Sequence, residues 1–305
     1  MIFDIFSRKS KVTNIYESSF NKKCLSAKQI NQGFYGWVFL IENSDHKTII
    51  AKVYKHLGYM DTEILQLEMM RKYALVSVPE IYSVSYKKDN GYFDVMFMEY
   101  INGVNAAAVK ITDEKEKMAF SNQVIENVLA IHEVSNPDGF GSYVDHDYCL
   151  NWESHYKLNI TKLYNSLHTH KPLIFSKKSF ELMEALYESF DEVFTDTVKE
   201  NHLIHGDYNL WNLIADPKTN KLIGMIDPFG SCFADRELEL FQLTNANGEE
   251  YRLLENYASH ISLSSNFEVK NAYYFFWDDI KHMVNMGYCE NKRFQKYGKF
   301  IIDRL

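Results

Sequence analysis

The stretch Leu203–Gly230, "LIHGDYNLWNLIADPKTNKLIGMIDPFG", sets His205, Asp207, Asn209, Asn212 and Asp227 between apolar, strand-like runs. Such a set suits a metal site, a catalytic loop or a polar turn between two strands. Its internal spacing narrows the choice. Asp207 and Asn212 follow an H-x-D-x-x-x-x-N pattern, and "NLIA", "DPKTN" and "KLIGMID" read as strand, turn and strand, with Pro217 and Asn220 supplying the turn chemistry. Closing that hairpin brings Asn212 and Asp227 to one end, within side-chain reach of a shared ion. One amide oxygen and one carboxylate are hard ligands that suit Mg²⁺. Zinc needs three or four close ligands, and His205 is the one clear nitrogen candidate. His205 therefore reads as a structural residue that holds the loop by hydrogen bonds.

The rest of the chain has room for a partner to this loop. Its 305 residues predict two substructures sharing a cleft. Hydrophobic residues at 46% and charged residues at 24% are ordinary for a soluble enzyme. A net charge of −8 argues against a nucleic-acid partner, which requires a basic face. Cys24, Cys149, Cys232 and Cys289 form no CxxC pair, which predicts reduced thiols in a cytoplasmic protein. "MIFDIFSRKS" lacks the apolar core of a signal peptide, and no run approaches the ~18 apolar residues of a membrane span, so no membrane partner is expected.

Residues 30–101 read mostly as strands. "GWVFLIE" and "KTIIAKVY" form a hairpin around Asn43–His46, and "EIYSVSYKK" and "YFDVMFMEYI" flank the turn at Asp89-Asn90-Gly91. Between the two pairs, Asp61–Ala74 has helical spacing with Asp61 as its N-cap. Beyond Asn102-Gly103 helical patterns dominate, at Glu114–Val134, Phe180–Phe194, Arg236–Leu243, Glu250–His260 and Val269–Asn285. The expectation is an α+β chain: a small β-rich lobe over 1–101 that binds nucleotide, and a larger, mainly helical lobe over 102–305 that carries the catalytic and acceptor-binding residues.

Three features of the first lobe point to phosphate. Asn31–Val38 reads N-x-G-x-x-G-x-V at a strand entry, close to the glycine-rich loop that covers ATP phosphates in protein kinases. Gly33 and Gly36 would let backbone amides approach phosphate oxygens. Lys52 sits inside an apolar strand one hairpin later, where an ATP-binding lysine would lie, although an edge-strand lysine with its stem on the surface gives the same pattern. Glu63 or Glu68 on the following helix could orient that ammonium. These features and the His205–Asp227 stretch occur in the order a kinase-type ATP site requires.

On these residues the chain resembles the aminoglycoside phosphotransferase/choline kinase superfamily, of protein-kinase-like fold. "HGDYNLWN" has Gly206 where protein kinases carry arginine. Within that group, "EILQLEMMRKYALVSVPEIYSV" and "IDPFGSCFADRELEL" are similar to segments of the fructosamine kinase family, and the first selects Glu63 over Glu68. The resemblance implies ATP and Mg²⁺ as cofactors. Asp207 would be the catalytic base, Asn212 and Asp227 the metal ligands, and Lys52 with Glu63 the phosphate contact. Gly33 and Gly36 would cover the phosphates, while Glu99 and Ile101 in "FMEYI" would meet the adenine edge. It also implies transfer to a hydroxyl of a small sugar-amine such as a fructosamine or ribulosamine. An aminoglycoside or other amino-alcohol is the alternative acceptor, and a catalytically silent nucleotide-binding module is the alternative of another class.

The family usually reads H-G-D-L-W-x-G-N, whereas Tyr208, Asn209, Leu210 and Trp211 stand here between Asp207 and Asn212. Tyr208, Asn209, Trp211 and Asp235 are the expected acceptor-side residues, together with the helix carrying Asp278, Asp279 and His282. Neither H-R-D nor A-P-E occurs, which argues against a protein kinase.

Overall fold

The computed structural model describes residues 2–170, 175–288 and 290–305, so Cys289 lies outside the described residues. Strands β1 (Cys24–Gln32), β2 (Gly36–Asn43), β3 (Thr48–Tyr54), β4 (Ile81–Ser85) and β5 (Asp94–Glu99) form an antiparallel sheet in the order β1-β2-β3-β5-β4. Strand alternation decides what each face does. Ala51 and Val53 on β3 join Phe39, Ile41, Val95 and Phe97 in a buried layer. Lys52, lying between them, projects from the opposite face, paired in register with Val38 and Met96.

A helix that the periodicity did not single out, α1 (Ile2–Phe20), covers the apolar face of the sheet through Val12, Ile15 and Tyr16. These three lie on one stripe at i, i+3 and i+4. Tyr16 meets Phe97 edge-on at 5.7 Å between ring centres.

The opposite face receives α2 (Tyr59–Tyr73), which buries Glu63, Gln66, Leu67 and Met70. The helix starts after Gly58, at φ 83°, rather than at Asp61. Asp61 instead lies in the first turn, where the helix dipole favours a carboxylate, and it accepts from the Tyr86 hydroxyl at 2.7 Å. The expected turn at Asp89–Gly91 is the end of a short helix, α3 (Lys87–Asn90).

The larger lobe begins with β6 (Val104–Asn105), which pairs with β10 (Leu213–Ala215); β10 in turn pairs with β11 (Leu222–Met225) in the hairpin predicted above. Asp216 closes that hairpin by accepting from Lys218 N and Thr219 N, and Asn220 takes φ 55°. The second small sheet comprises β7 (Phe140–Ser142), β8 (Asp147–Cys149), β9 (His202–Ile204) and β12 (Cys232–Ala234), in the order β8-β7-β12-β9.

Helices surround these sheets: α4 (Glu114–His132), α5 (Trp152–His170), α6 (Lys177–Glu188), α7 (Phe190–Val193), α8 (Leu253–His260), α9 (Phe267–Met286) and α10 (Asn291–Ile302). The run expected as one helix over Phe180–Phe194 divides between α6 and α7. Arg236–Thr244 winds as a 3₁₀ helix rather than an α-helix, capped by Asp235, which accepts from Glu237 N at 3.0 Å. Among the described residues no helix is long and apolar enough to cross a membrane.

His202 at the start of β9 donates from Nδ1 to His132 O at 2.6 Å. Burial, helped by nearby Arg236, pushes its imidazole down to about 4 from an ordinary 6.5. The unfolded chain therefore binds a proton that the folded chain refuses. Stability is fully present above pH ~6.5 and falls by roughly 2–3 kcal/mol as pH drops through ~4. Denaturant unfolding of His202→Gln across that range is expected to show a flatter acid limb than the parent protein.

Candidate active site

Four segments converge on the cleft between the lobes. From β3, Lys52 Nζ donates to Glu63 Oε1 and to Asp227 Oδ1, each at 2.7 Å. Glu63 Oε2 accepts from the Tyr54 hydroxyl at 2.8 Å, so both carboxylate oxygens are engaged. Burial opposes the Lys52 ammonium, but Asp227 and Glu63 outweigh it and raise its pKa. For Asp227, burial works toward the neutral acid, and Lys52 holds the group below its ordinary value. Glu68 has no part in this cluster. The lysine thus stays charged and fixed between the two lobes.

The catalytic-loop candidate is built around Asp207. Its Oδ1 accepts from Asn209 Nδ2 and its Oδ2 from Asn212 Nδ2, both at 2.7 Å. Asn209 also accepts from Trp211 N at 2.9 Å, which winds the loop tightly. Burial pushes the Asp207 carboxyl up to about 7, with the Asn212 hydrogen bond opposing the rise. Gly206, at φ 84°, packs against the following turn, and an added Cβ would lie 2.5 Å from the Gly230 carbonyl carbon. Arginine cannot occupy that position without moving one of the two loops. Asp227 itself adopts φ 59°, unusual for a non-glycine residue, and its neighbour Ile226 N donates to Asn212 O at 2.9 Å.

His205 is buried as a scaffold, with Nε2 bonded to Ile226 O at 3.1 Å. Two oxygen-bearing side chains, Asn212 and Asp227, remain as hard ligands at the hairpin's end, and the Asp227 carboxylate is 47% exposed. No cluster of three or more His, Cys, Asp or Glu that could hold a metal occurs among the described residues. That donor set fits a magnesium ion that keeps most of its ligands from water and phosphate.

The glycine-rich loop is already folded over the cleft. Gly33 N donates to Gly36 O at 3.1 Å, and Lys55 Nζ donates to the carbonyls of Gly33 and Phe34 at 2.7 and 3.0 Å. Gly36 is required by the sheet, because a Cβ there would come within 1.9 Å of Val53 O. Tyr35 at the loop tip packs on Phe229, 4.3 Å between ring centres. Above Lys52, a cavity of about 220 Å³ is lined by Ile30, Val38, Ile50, Met98, Glu99 and Ile101. Its apolar walls and its strand-edge backbone suit a flat heteroaromatic base.

A second cavity, about 380 Å³, opens below the loop beside Gly206 and Gly230. Trp152, Tyr156, Tyr274 and Trp277 line it, with Asp278 and Lys281. Of the residues expected on the acceptor side, Asp278 lines this cavity, whereas Tyr208, Asn209, Trp211, Asp235 and His282 do not. Tyr208 is 0% exposed and points into the core, donating to Val124 O at 2.8 Å. Asn209 is turned to Asp207 and Gln242. Asp235 is buried against Lys270 and the Tyr274 hydroxyl, at 2.8 and 2.7 Å, and supports the cavity's aromatic wall rather than facing it. His282 is bound to its own helix, 3.3 Å from Asp278 Oδ2. Trp211 is 61% exposed and lines neither cavity.

Two residues with a clear part in the architecture carried no local signal. Glu239 accepts from His205 N and Gly206 N at 3.1 and 2.9 Å and from His132 Nε2 at 2.8 Å, so it anchors the start of the loop that carries Asp207. Lys281 lies three residues from Asp278 on α9, and that i,i+3 spacing is the only sequence hint of their pairing.

Comparison with known proteins agrees with this geometry. YcbJ, an uncharacterized protein of Escherichia coli (strain K12), is 24% identical over 278 residues, covering 88% of this chain and 90% of YcbJ. A protein assigned as a fructosamine-3-kinase from Thermobifida fusca YX-ER1 superposes with a TM-score of 0.71 at 14% identity, over 96% of this chain and 98% of that one. A thermostable mutant of aminoglycoside phosphotransferase APH(4)-Ia, solved with AMP-PNP and hygromycin B, gives 0.71 at 14% identity, over 96% and 97%. These structures share the two-lobed, protein-kinase-like fold. The sequence profile of the APH phosphotransferase enzyme family matches residues 26–260, and the chain belongs to that family of enzymes, which transfer phosphoryl groups to alcohol acceptors.

Proposed function

We propose that the protein is an ATP- and Mg²⁺-dependent small-molecule kinase that transfers the γ-phosphoryl group to a hydroxyl of a sugar-amine of the fructosamine or ribulosamine kind. The observation that carries this reading is the meeting of Lys52 and Glu63 of the small lobe with Asp227 of the large lobe, at the hairpin end that also carries Asn212 and its partner Asp207. Residues 1–101 hold the nucleotide and residues 102–305 the acceptor. Glu99 and Ile101 border the base, Gly33 and Gly36 cover the phosphates, and Lys52 contacts their oxygens. Asn212 and Asp227 would hold Mg²⁺, which when bound would supply charge neutralisation on the phosphates. Asp207 takes the acceptor hydroxyl's proton, oriented by Asn209 and Asn212. Catalysis is then positioning plus charge stabilisation, with no covalent intermediate on the protein.

The AMP-PNP complex of the APH(4)-Ia neighbour supports the adenine donor, and its hygromycin B keeps an aminoglycoside acceptor as the second reading. The free thiols of Cys24, Cys149 and Cys232 suit a reducing cytoplasm. A coupled ADP-release assay with ATP and Mg²⁺ over fructosamines, ribulosamines, aminoglycosides and choline tests the proposal. Turnover that requires both Mg²⁺ and Asp207 supports it. A protein that binds nucleotide yet turns over none of these acceptors and shows no Asp207-dependent ATP hydrolysis is a silent binding module. Lys52→Met leaves Glu63 and Asp227 without their cation and removes a charged phosphate contact. Nucleotide affinity is expected to fall by at least about tenfold, measured by calorimetry.

A further inference from the structure

An acidic helix face beside a kinase acceptor cavity would suit an amine, and α9 carries Asp278 and Asp279. Both charges are already taken. Asp279 is buried, with Arg293 bonded to both its oxygens. Asp278 pairs with Lys281 Nζ at 2.5 Å and with His282 Nδ1 at 3.3 Å, and its side chain is only 11% exposed. Glu239, also at the cavity wall, is occupied by His132 and the two loop amides. Asp235, behind Tyr274, is paired with Lys270.

The cation is the more accessible half of the Asp278–Lys281 pair in the wall. Lys281 keeps 39% of its side chain exposed. An ammonium has three donors, and Asp278 accounts for one. Lys162, exposed on α5, adds a second positive charge at the rim. Facing them are Trp152, Tyr156, Tyr274 and Trp277, whose low-polarity surface strengthens any charge interaction made nearby. Among the described lining residues both carboxylates, Glu239 and Asp278, are already paired, so a polycation finds no free counter-charge, whereas an anion finds the donors of Lys281 and Lys162.

Resting on the reading of this cavity as the acceptor site, we propose that it selects a hydroxyl compound bearing an anionic group, a carboxylate or a phosphate, and that Lys281 reads that group. Polycationic aminoglycosides are disfavoured there, and a sugar-amine that fits carries a carboxylate on its amine half. Lys281 is then a specificity residue of the transfer reaction.

The test compares matched probes: D-gluconate and D-glucose 6-phosphate against D-glucose, D-glucosamine and kanamycin, by ADP release with ATP and Mg²⁺. The expected kcat/KM ratio of an anionic probe to glucose is at least about tenfold, and the carboxylate and phosphate arms show which anion is read. Lys281→Met brings that ratio near one, Lys281→Arg retains it, and Lys281→Glu shifts preference toward glucosamine. Preference of the parent protein for kanamycin or glucosamine overturns the proposal. So does an equal loss on every probe in Lys281→Met, which would place Lys281 on the transferred phosphoryl group.

Binding is read separately in Asp207→Asn, with Trp37 and Trp211 replaced by Phe, through the fluorescence of Trp152 and Trp277. Saturable change with the anionic probes, lost on adding Lys281→Met, supports the proposal even where turnover is absent, and absent turnover then counts against the kinase reading alone. No anion-dependent change across the set overturns the proposal even where ATP is consumed.

Discussion

Asp207→Asn is expected to lower turnover at least about a hundredfold while leaving nucleotide affinity nearly intact. The carboxylate sits between two side-chain amides, each donating to a different oxygen at 2.7 Å. An asparagine there keeps the shape but replaces one acceptor oxygen with an NH₂ group facing another NH₂, so the loop loses one hydrogen bond as well as its base. Burial raises the Asp207 carboxyl to about 7, close to the value at which a general base works best near neutral pH. The cavity proposed for the nucleotide is lined by Lys52, Glu63 and Asp227 and does not include Asp207, which is why binding should survive. Steady-state ADP release and calorimetric nucleotide binding on the same preparation separate the two effects. Turnover equal to the parent would remove Asp207 from the reaction, and a parallel loss of nucleotide binding would make it a scaffold for the cleft.

The reasons that Asp207 was legible in the sequence and its surroundings were not are physical. Asp207 and Asn212 belong to one loop, and Asn212 and Asp227 are joined by a short hairpin, so their proximity follows from local geometry. Lys52 stood out because an ammonium in an apolar strand demands a partner, and strand alternation placed it opposite Ala51 and Val53. Alternation is no guide inside an irregular loop. Of the residues between Asp207 and Asn212, Tyr208 turns into the core, Asn209 back to Asp207 and Trp211 out to solvent.

Helices with strong capping and regular apolar spacing, such as α4 behind Asp113, were readable. In α5, "WESHYKLNITKLYNSLHTH" is rich in residues of weak helix propensity. It is helical because Trp152, Tyr156 and Ile160 bury one face against α9 and β7, a tertiary fact. The aromatic cavity is assembled from α5, α9 and the turns around Gly206 and Gly230, which are far apart in sequence. Its charge balance depends on which of several acidic residues find partners, and only packing decides that.

Glu239→Ala should be the most destabilising single change near the site. Glu239 is fully buried and lies in a 3₁₀ helix among leucines, where a carboxylate survives only if every oxygen is satisfied. Its partners are His132 from α4 and the amides of His205 and Gly206, so one side chain ties a helix of the large lobe to the start of the catalytic loop. Burial pushes toward the neutral acid, but His132 and then His205 with its amide hold the group below its ordinary pKa, as a carboxylate whose charge is compensated. Truncation removes the acceptor and leaves one imidazole nitrogen, His132 Nε2, and two amides unpaired in a dry interior. Breaking such a network by deleting one member costs roughly 3–5 kcal/mol, or roughly 5–8 °C in Tm for a chain of this size. Glu239→Gln keeps the volume and one acceptor oxygen, so a smaller loss is expected. Thermal and denaturant unfolding measure both variants. If Glu239→Ala unfolds within about 1 kcal/mol of the parent, a span within which distant surface changes also fall, the loop is held by His205 and the Gly206–Gly230 contact instead. A large loss in the alanine variant that glutamine partly restores, with turnover following the same order, ties the position of Asp207 to Glu239.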